Sequence, residues 1–280
     1  MKLYRTADGI LAESDGRCVR VPEPSWDRLL NRPDLAAFLE AGWRTWPEIP
    51  GGFDPDTSHG LLPPAAAQEV WAAGVTYRRS REARQEESAK AGGADFYARV
   101  YEAARPELFY KAPPRNVAGH RQPVRIRRDA AWNVPEPELT LALNASGRIV
   151  GYAVGNDVSS RDIEGENPLY LPQAKVYTGS CALGPGLLVA EGPLPPETPV
   201  RVEVRREGAT IFAGETALAR MKRSPEELAG WLFREMAFPD GCFLMTGTGI
   251  VPPSGFSLRP GDEIRIDIPP VGTLVNSVGA

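Results

Sequence analysis

Glu136 and Glu138 lie one residue apart in Val134-Pro135-Glu136-Pro137-Glu138, a hairpin's length before Gly155-Asn156-Asp157. Side chains alternate along a strand, so the two glutamates point the same way. Leu139 to Leu143 reads as an apolar strand, Asn144-Ala145-Ser146-Gly147 as a turn, and Ile149 to Val154 as the return strand. Folding back at that turn brings Asp157 beside the glutamates. Three carboxylates aimed at one point repel unless a positive charge sits among them. An all-oxygen set without Cys or His suits a hard dication such as Mg²⁺, Mn²⁺ or Ca²⁺. The plain alternative is a pair of glutamates on an edge strand facing water and an aspartate in a turn. Pro135 and Pro137 lack N–H groups and fit an edge strand equally well.

Other residues bear on the same chemistry. Only five of the 32 basic residues are lysines, Lys111 and Lys175 among them, both in segments that read as buried. A lysine offers a compact, titratable ammonium, which arginine does not. Near a cation Lys175 could hold an oxyanion or act as a base, although a single Lys is more commonly a surface one. Asn156 to Asn167 is dense in polar groups, and Asp162, Glu164 and Glu166 there are further cation-ligand candidates. Thr246-Gly247-Thr248-Gly249 lets backbone approach a ligand or simply forms a turn. It has no Walker pattern. His59 and His120 read as exposed loop histidines without a nucleophile beside them.

The elements that must position these groups are mostly strands. Residues 1–64 read as a small N-terminal α+β module with short strands, a helical stretch from Trp26 to Glu40 and a Pro/Gly-rich connection; residues 65–280 read as the catalytic domain. Glu69 to Tyr77 reads as a buried strand. Arg78 to Lys90 reads as a helix polar on every side, either a solvated surface helix or a lid over a ligand. From Leu108 onward strand signals recur, with one helix from Ser224 to Met236 opened by a capping box. No strand–helix alternation suggests a doubly wound sheet.

Composition excludes several classes. A net charge of −4 argues against nucleic acid or an anionic membrane surface as partner. No apolar run reaches the roughly 20 residues that span a bilayer. Met1 to Arg5 lacks the apolar stretch of a signal peptide. Cys18, Cys181 and Cys242 are odd in number and widely spaced, and read as reduced thiols in a cytoplasmic protein.

Together, Glu136-x-Glu138, Gly155-Asn156-Asp157-Val158-Ser159-Ser160-Arg161-Asp162, Lys175, Leu183-Gly184-Pro185, Thr246-Gly247-Thr248, Pro260-Gly261-Asp262 and Gly272-Thr273-Leu274-Val275-Asn276 resemble the fumarylacetoacetate hydrolase superfamily over about residues 70 to 280. The resemblance implies a mainly β fold with α, a mixed β-roll, with Mg²⁺ (or Mn²⁺) held by Glu136, Glu138 and Asp157, and a homodimer or homotetramer. The C–C bond hydrolases of the superfamily carry a His and a Glu, three apart, after an Asn-Tyr. Here Thr76-Tyr77 is followed by Ser80 and Ala83. The run from Asp162 to Gln173 and Gly74-Val75-Thr76-Tyr77 look like the branch of 2-keto-3-deoxy sugar-acid dehydratases. An aspartate common three residues after the lysine is Thr178 here.

The expected reaction is dehydration of a small 2-keto acid such as 2-keto-3-deoxy-arabinonate to 2,5-dioxopentanoate, in pentose or sugar-acid breakdown, without an organic cofactor. Lys175 is the candidate base or enolate partner, and Glu82 or Glu86 the candidate acid for the leaving hydroxyl. Arg78, Arg81, Arg161 and Thr248 are candidates for holding substrate oxygens. The runner-up is a metal-dependent hydrolase of acylpyruvate type.

Overall fold

The computed structural model describes residues 1–88, 99–190 and 192–279, with side chains left out at 84–88. Three antiparallel strands open the chain: β1 (Lys2–Thr6), β2 (Gly9–Ser14) and β3 (Arg17–Val21). The helical stretch expected from Trp26 to Glu40 is two helices, α1 (Trp26–Leu30) and α2 (Leu35–Gly42). Pro33 cannot continue a helix, and the chain breaks there. Then come β4 (Glu69–Gly74), α3 (Arg78–Ser88) and β5 (Glu107–Ala112).

The middle of the chain carries β6 (Val117–Ala118), β7 (Val124–Arg125), β8 (Asn133–Val134), β9 (Pro137–Leu143), β10 (Ile149–Asp157) and β11 (Ser159–Ser160). Two short helices follow, α4 (Arg161–Glu166) and α5 (Leu171–Lys175). The remainder is β12 (Cys181–Val189), β13 (Pro199–Arg206), β14 (Ala209–Ala217), α6 (Pro225–Leu232), β15 (Cys242–Met245), β16 (Glu263–Ile268) and β17 (Gly272–Gly279). Ser224 caps α6 by accepting from the Glu227 amide, with Pro225 in its first turn.

Two main sheets and a two-stranded β11-β8 pair hold these strands. The larger runs β3-β2-β1-β12-β10-β9-β15-β4-β5, with β6 beside β12; the smaller runs β14-β13-β16-β17-β7. The first three strands therefore extend the main sheet through β1–β12 pairing rather than standing apart from it.

Alternation sorts the core. Leu139, Leu141, Leu143 and Val154 pack with Val202, Ile264 and Leu274 of the smaller sheet. Ala142, Ala153, Phe243 and Met245 pack with Leu3, Val19, Leu29 and Leu39 of the leading segment. By the same parity, Glu138 shares a face with Ala142, and Asp157 with Ala153. The acidic residues thus continue a core-facing row past the point where that row stops being apolar.

β9 is a central strand, paired to β10 on one side and β15 on the other, not an edge strand. Pro137 is tolerated because it is the first residue of the strand, and the β15 pairing starts only at Thr140. α3 is not polar on every side either: Ser80 and Ala83 are buried.

Candidate active site

The β9–β10 register sets Glu138 opposite Gly155 and Pro137 opposite Asn156. One residue further, the Asp157 amide donates to the Glu136 carbonyl at 3.0 Å. This antiparallel step carries both strands' acidic ends to one point. One carboxylate oxygen from each of Glu136, Glu138 and Asp157 lies within 4.8 Å of the others, and all three residues are buried.

Such a cluster needs compensation. Lys175, at the end of α5, donates to Glu136 Oε2 at 2.5 Å, Asp157 Oδ2 at 3.0 Å and Ser159 Oγ at 2.6 Å. Its ammonium lies 5.6 Å from the centre of the Phe109 ring. Arg161 Nη2 stands 3.4 Å from Glu136 Oε1, and Nη1 3.8 Å from Glu164 Oε2. Lys111 reaches Asp157 Oδ1 at 2.5 Å. Three carboxylates are thus met by three buried cations.

Glu138 is the least compensated. Burial, then the charges of Asp157 and Glu136, hold its carboxyl well above the usual carboxylate range; Lys175 and the Gly247 amide act the other way. A dication among the three oxygens would remove that penalty, and the all-oxygen donor set fits Mg²⁺ or Mn²⁺. Cys181, paired across the sheet with Asp157, is a thiol, since burial pushes its pKa up to about 12.

The Thr246-Gly247-Thr248 segment serves this cluster through its backbone. Gly247 N–H donates to Glu138 Oε2 at 2.6 Å. Gly247 has φ +92°, and a Cβ there would collide with Thr76 Oγ1 and crowd the Ala73 carbonyl. Thr76 Oγ1 in turn donates to the Thr246 carbonyl at 2.6 Å. Thr248 lines the same cavity, while its hydroxyl exchanges hydrogen bonds with Ile250 backbone at 3.2 Å.

Glu136, Glu138, Asp157, Arg161, Lys175 and Thr248 line one cavity, walled also by Phe109, Ser80 and residues 73–75. Three other residues singled out in the sequence are placed elsewhere. Arg78 is 78% exposed and pairs with Glu82 at 2.9 Å. Both line a separate surface depression with Glu215 and Arg220. Arg81 stands 3.6 Å from Glu102 and stacks over Tyr101. The Glu86 side chain lies outside the described residues.

The additional cation ligands entertained for the loop have other partners. Asp162 Oδ2 accepts from the Ala131 amide at 2.6 Å, Glu164 faces Arg161, and Glu166 is exposed. His120 is not an exposed loop residue. It is buried, with Nε2 3.0 Å from Asp56 Oδ1 and Nδ1 accepting from the Val275 amide at 3.2 Å.

Sequence reasoning missed Ser159, which holds Lys175, and the cavity walls Phe109 and Ser80. It also missed Glu107. Glu107 pairs in register with the cavity-lining Gly74, and its carboxylate lies against that glycine, although Glu107 is not itself among the lining residues. Alternation along β5 was the available signal for Phe109 and Lys111; nothing local marks Ser159.

The fold and the acidic site define a class. The family model described as "Fumarylacetoacetate (FAA) hydrolase C-terminal" matches residues 69–279, and the chain belongs to that family. Among its relatives, a probable 2-keto-3-deoxyxylonate dehydratase of Haloferax volcanii is 46% identical over 216 residues, 77% of this chain and 73% of that protein. The 2-dehydro-3-deoxy-D-arabinonate dehydratase of Saccharolobus solfataricus is 42% identical over 220 residues, 78% of this chain and 74% of that one. A solved structure of 2-keto-3-deoxy-D-arabinonate dehydratase complexed with magnesium and 2,5-dioxopentanoate superposes with a TM-score of 0.84 at 33% identity, covering 100% of this chain and 99% of that one.

Proposed function

We propose that this protein dehydrates a 2-keto-3-deoxy sugar acid, such as 2-keto-3-deoxy-arabinonate to 2,5-dioxopentanoate, with Mg²⁺ (or Mn²⁺) held by Glu136, Glu138 and Asp157. The observation that carries this reading is the convergence of those three buried carboxylates within 4.8 Å. The two dehydratase relatives and the magnesium-containing neighbour support it. When bound, the dication supplies Lewis acidity toward the 2-keto oxygen, which makes the C3 proton acidic.

The chain's own groups do the rest. Lys175 donates in three directions at once, to Glu136, Asp157 and Ser159. That arrangement suits a charge partner for the developing enolate oxygen. Taking the C3 proton would require Lys175 to release one of these contacts. Arg161, buried at the cavity wall beside Glu136, is the cation assigned to the substrate carboxylate. The C4 hydroxyl must leave with a proton. Glu82 pairs with Arg78 and does not line the cavity, and the Glu86 side chain lies outside the described residues; Glu107, whose carboxylate lies against the cavity-lining Gly74, is assigned the donor role.

No helix among the described residues is long and apolar enough to cross a membrane. Cys18, Cys181 and Cys242 are buried and free, which fits a reducing cytoplasmic setting. Within this reading the protein works as a homodimer or homotetramer in sugar-acid breakdown.

The test is incubation with a panel of 2-keto-3-deoxy acids and acylpyruvates, with and without Mg²⁺, followed by NMR. A 2,5-dioxo acid formed only with metal supports the proposal. Pyruvate plus a carboxylic acid reassigns the protein to the C–C bond hydrolases.

A further inference from the structure

Lys111 has no part in the scheme above, yet its ammonium is buried beside the acidic cluster at 0% exposure. It comes from β5 at the edge of the main sheet, and shares a strand face with Phe109. An ammonium has three N–H donors and no acceptor. Three oxygens meet this one: Asp157 Oδ1 at 2.5 Å, the Lys175 carbonyl at 2.6 Å and the Val158 carbonyl at 3.1 Å. Two of these are hydrogen bonds, to the carbonyls, and the Asp157 contact is an ion pair. Lys111 is not among the residues that line the cavity, so it is not placed to touch a substrate. It acts through Asp157, as a positioning residue.

The two oxygens of Asp157 have different partners. Oδ1 stands 2.5 Å from the Lys111 ammonium as an ion pair, with no hydrogen bond of its own. Oδ2 lies 3.0 Å from Lys175 Nζ, which also holds Glu136 Oε2. Oδ2 is thus the oxygen on the glutamate side of the cluster. Resting on the reading that the triad holds a dication, the geometry points to Lys111 as the residue that limits Asp157 to one ligand oxygen and thereby sets which dication the site prefers.

The physical reason is coordination chemistry. Mg²⁺ takes single oxygens in a near-ideal octahedron at about 2.0–2.1 Å, whereas Ca²⁺ takes roughly six to eight ligands and often both oxygens of one carboxylate. Two-oxygen binding by Asp157 would pull Oδ1 from Lys111 and strand a fully buried charge. Lys111 therefore weighs against Ca²⁺ specifically.

Calorimetric titration of the full chain with Mg²⁺ and, separately, Ca²⁺ tests this, comparing the unaltered protein with Lys111→Met. The Ca²⁺-to-Mg²⁺ ratio of Kd values should fall by about tenfold or more in the variant, a factor well outside titration error. Losing a positive charge strengthens both dications alike and leaves the ratio in place. A merely structural loss lowers Tm without changing the ratio. An unchanged ratio overturns the inference.

A second measurement needs no variant and decides the matter if Lys111→Met does not fold. Crystals of the unaltered chain loaded with Mg²⁺ should show one Asp157 oxygen on the ion and the other still on Lys111. Both oxygens on the ion, with Lys111 displaced, overturns the inference. An unaltered protein that binds neither cation removes the metal reading itself, and this inference with it.

Discussion

The backbone amide of Gly247 donates to Glu138 Oε2 at 2.6 Å, which ties the loop after β15 to a carboxylate that burial and its acidic neighbours hold well above the usual range. The contact depends on a positive φ at Gly247 and on the space taken by Thr76 Oγ1 and the Ala73 carbonyl. Gly247→Ala should therefore lower stability by about 1–3 kcal/mol, the range for a forced left-handed residue. Urea unfolding checks this. A variant as stable as the unaltered protein would show that the loop relaxes freely.

Lys175 links two of the three carboxylates. Lys175→Met leaves them partly uncompensated, and removing one member of a buried charge cluster costs about 3–5 kcal/mol. Added Mg²⁺ should restore much of the lost Tm, because a bound dication replaces the missing charge. Turnover should stay at least about a hundredfold down even when metal is saturating, since the partner of the enolate is gone. Thermal melts and kcat measured with saturating Mg²⁺ check the two halves separately.

Glu82 and Glu107 make opposite predictions for the proton that leaves with the C4 hydroxyl. Glu82 sits in an exposed pair with Arg78, and Glu82→Gln should change stability by no more than about 0.5 kcal/mol and leave kcat intact. Glu107→Gln should lower kcat by at least about a hundredfold with the metal still bound. Single-turnover rates on both variants decide between them. A large loss on Glu82→Gln alone would return the role to α3.

His120 gives stability a pH dependence of known sign. Burial lowers its pKa despite the nearby Asp56, while Arg121 and Arg265 push it further down. The folded state then holds fewer protons than the unfolded state between the lowered value and about 6.5. Its stabilisation is complete above that upper limit and drains as pH falls through the folded value. Protonating Nδ1 also breaks the hydrogen bond from the Val275 amide. Tm should fall as pH drops from about 7.5 to 5.5, and His120→Gln should flatten that fall. An equal slope in the variant would place the titration elsewhere.

The hairpin that carries the site was legible because its signals are local. Alternating apolar residues and the Asn144-Ala145-Ser146-Gly147 turn mark the hairpin, and its register fixes where Glu138 and Asp157 meet. The centrality of β9 was not legible. Two prolines argue for an edge, and only the late start of the β15 pairing shows why Pro137 does no harm. His120 was misread for a similar reason. Its flanking residues are loop-like, and the Asp56 and Val275 partners that bury it are far away in sequence. Lys111 stood out by residue type, but its three oxygen partners come from distant elements and no spacing rule reveals them.

The central claim is that Glu136, Glu138 and Asp157 together hold one dication on which turnover depends. Its most direct test is titration of chelator-treated protein with Mn²⁺, following bound metal by EPR and dehydration by NMR in the same samples. The account predicts activity rising in proportion to bound Mn²⁺ and levelling at one ion per chain, with binding lost in Glu138→Gln and Asp157→Asn. Full turnover in the metal-stripped protein, or undiminished Mn²⁺ binding by those variants, would contradict it.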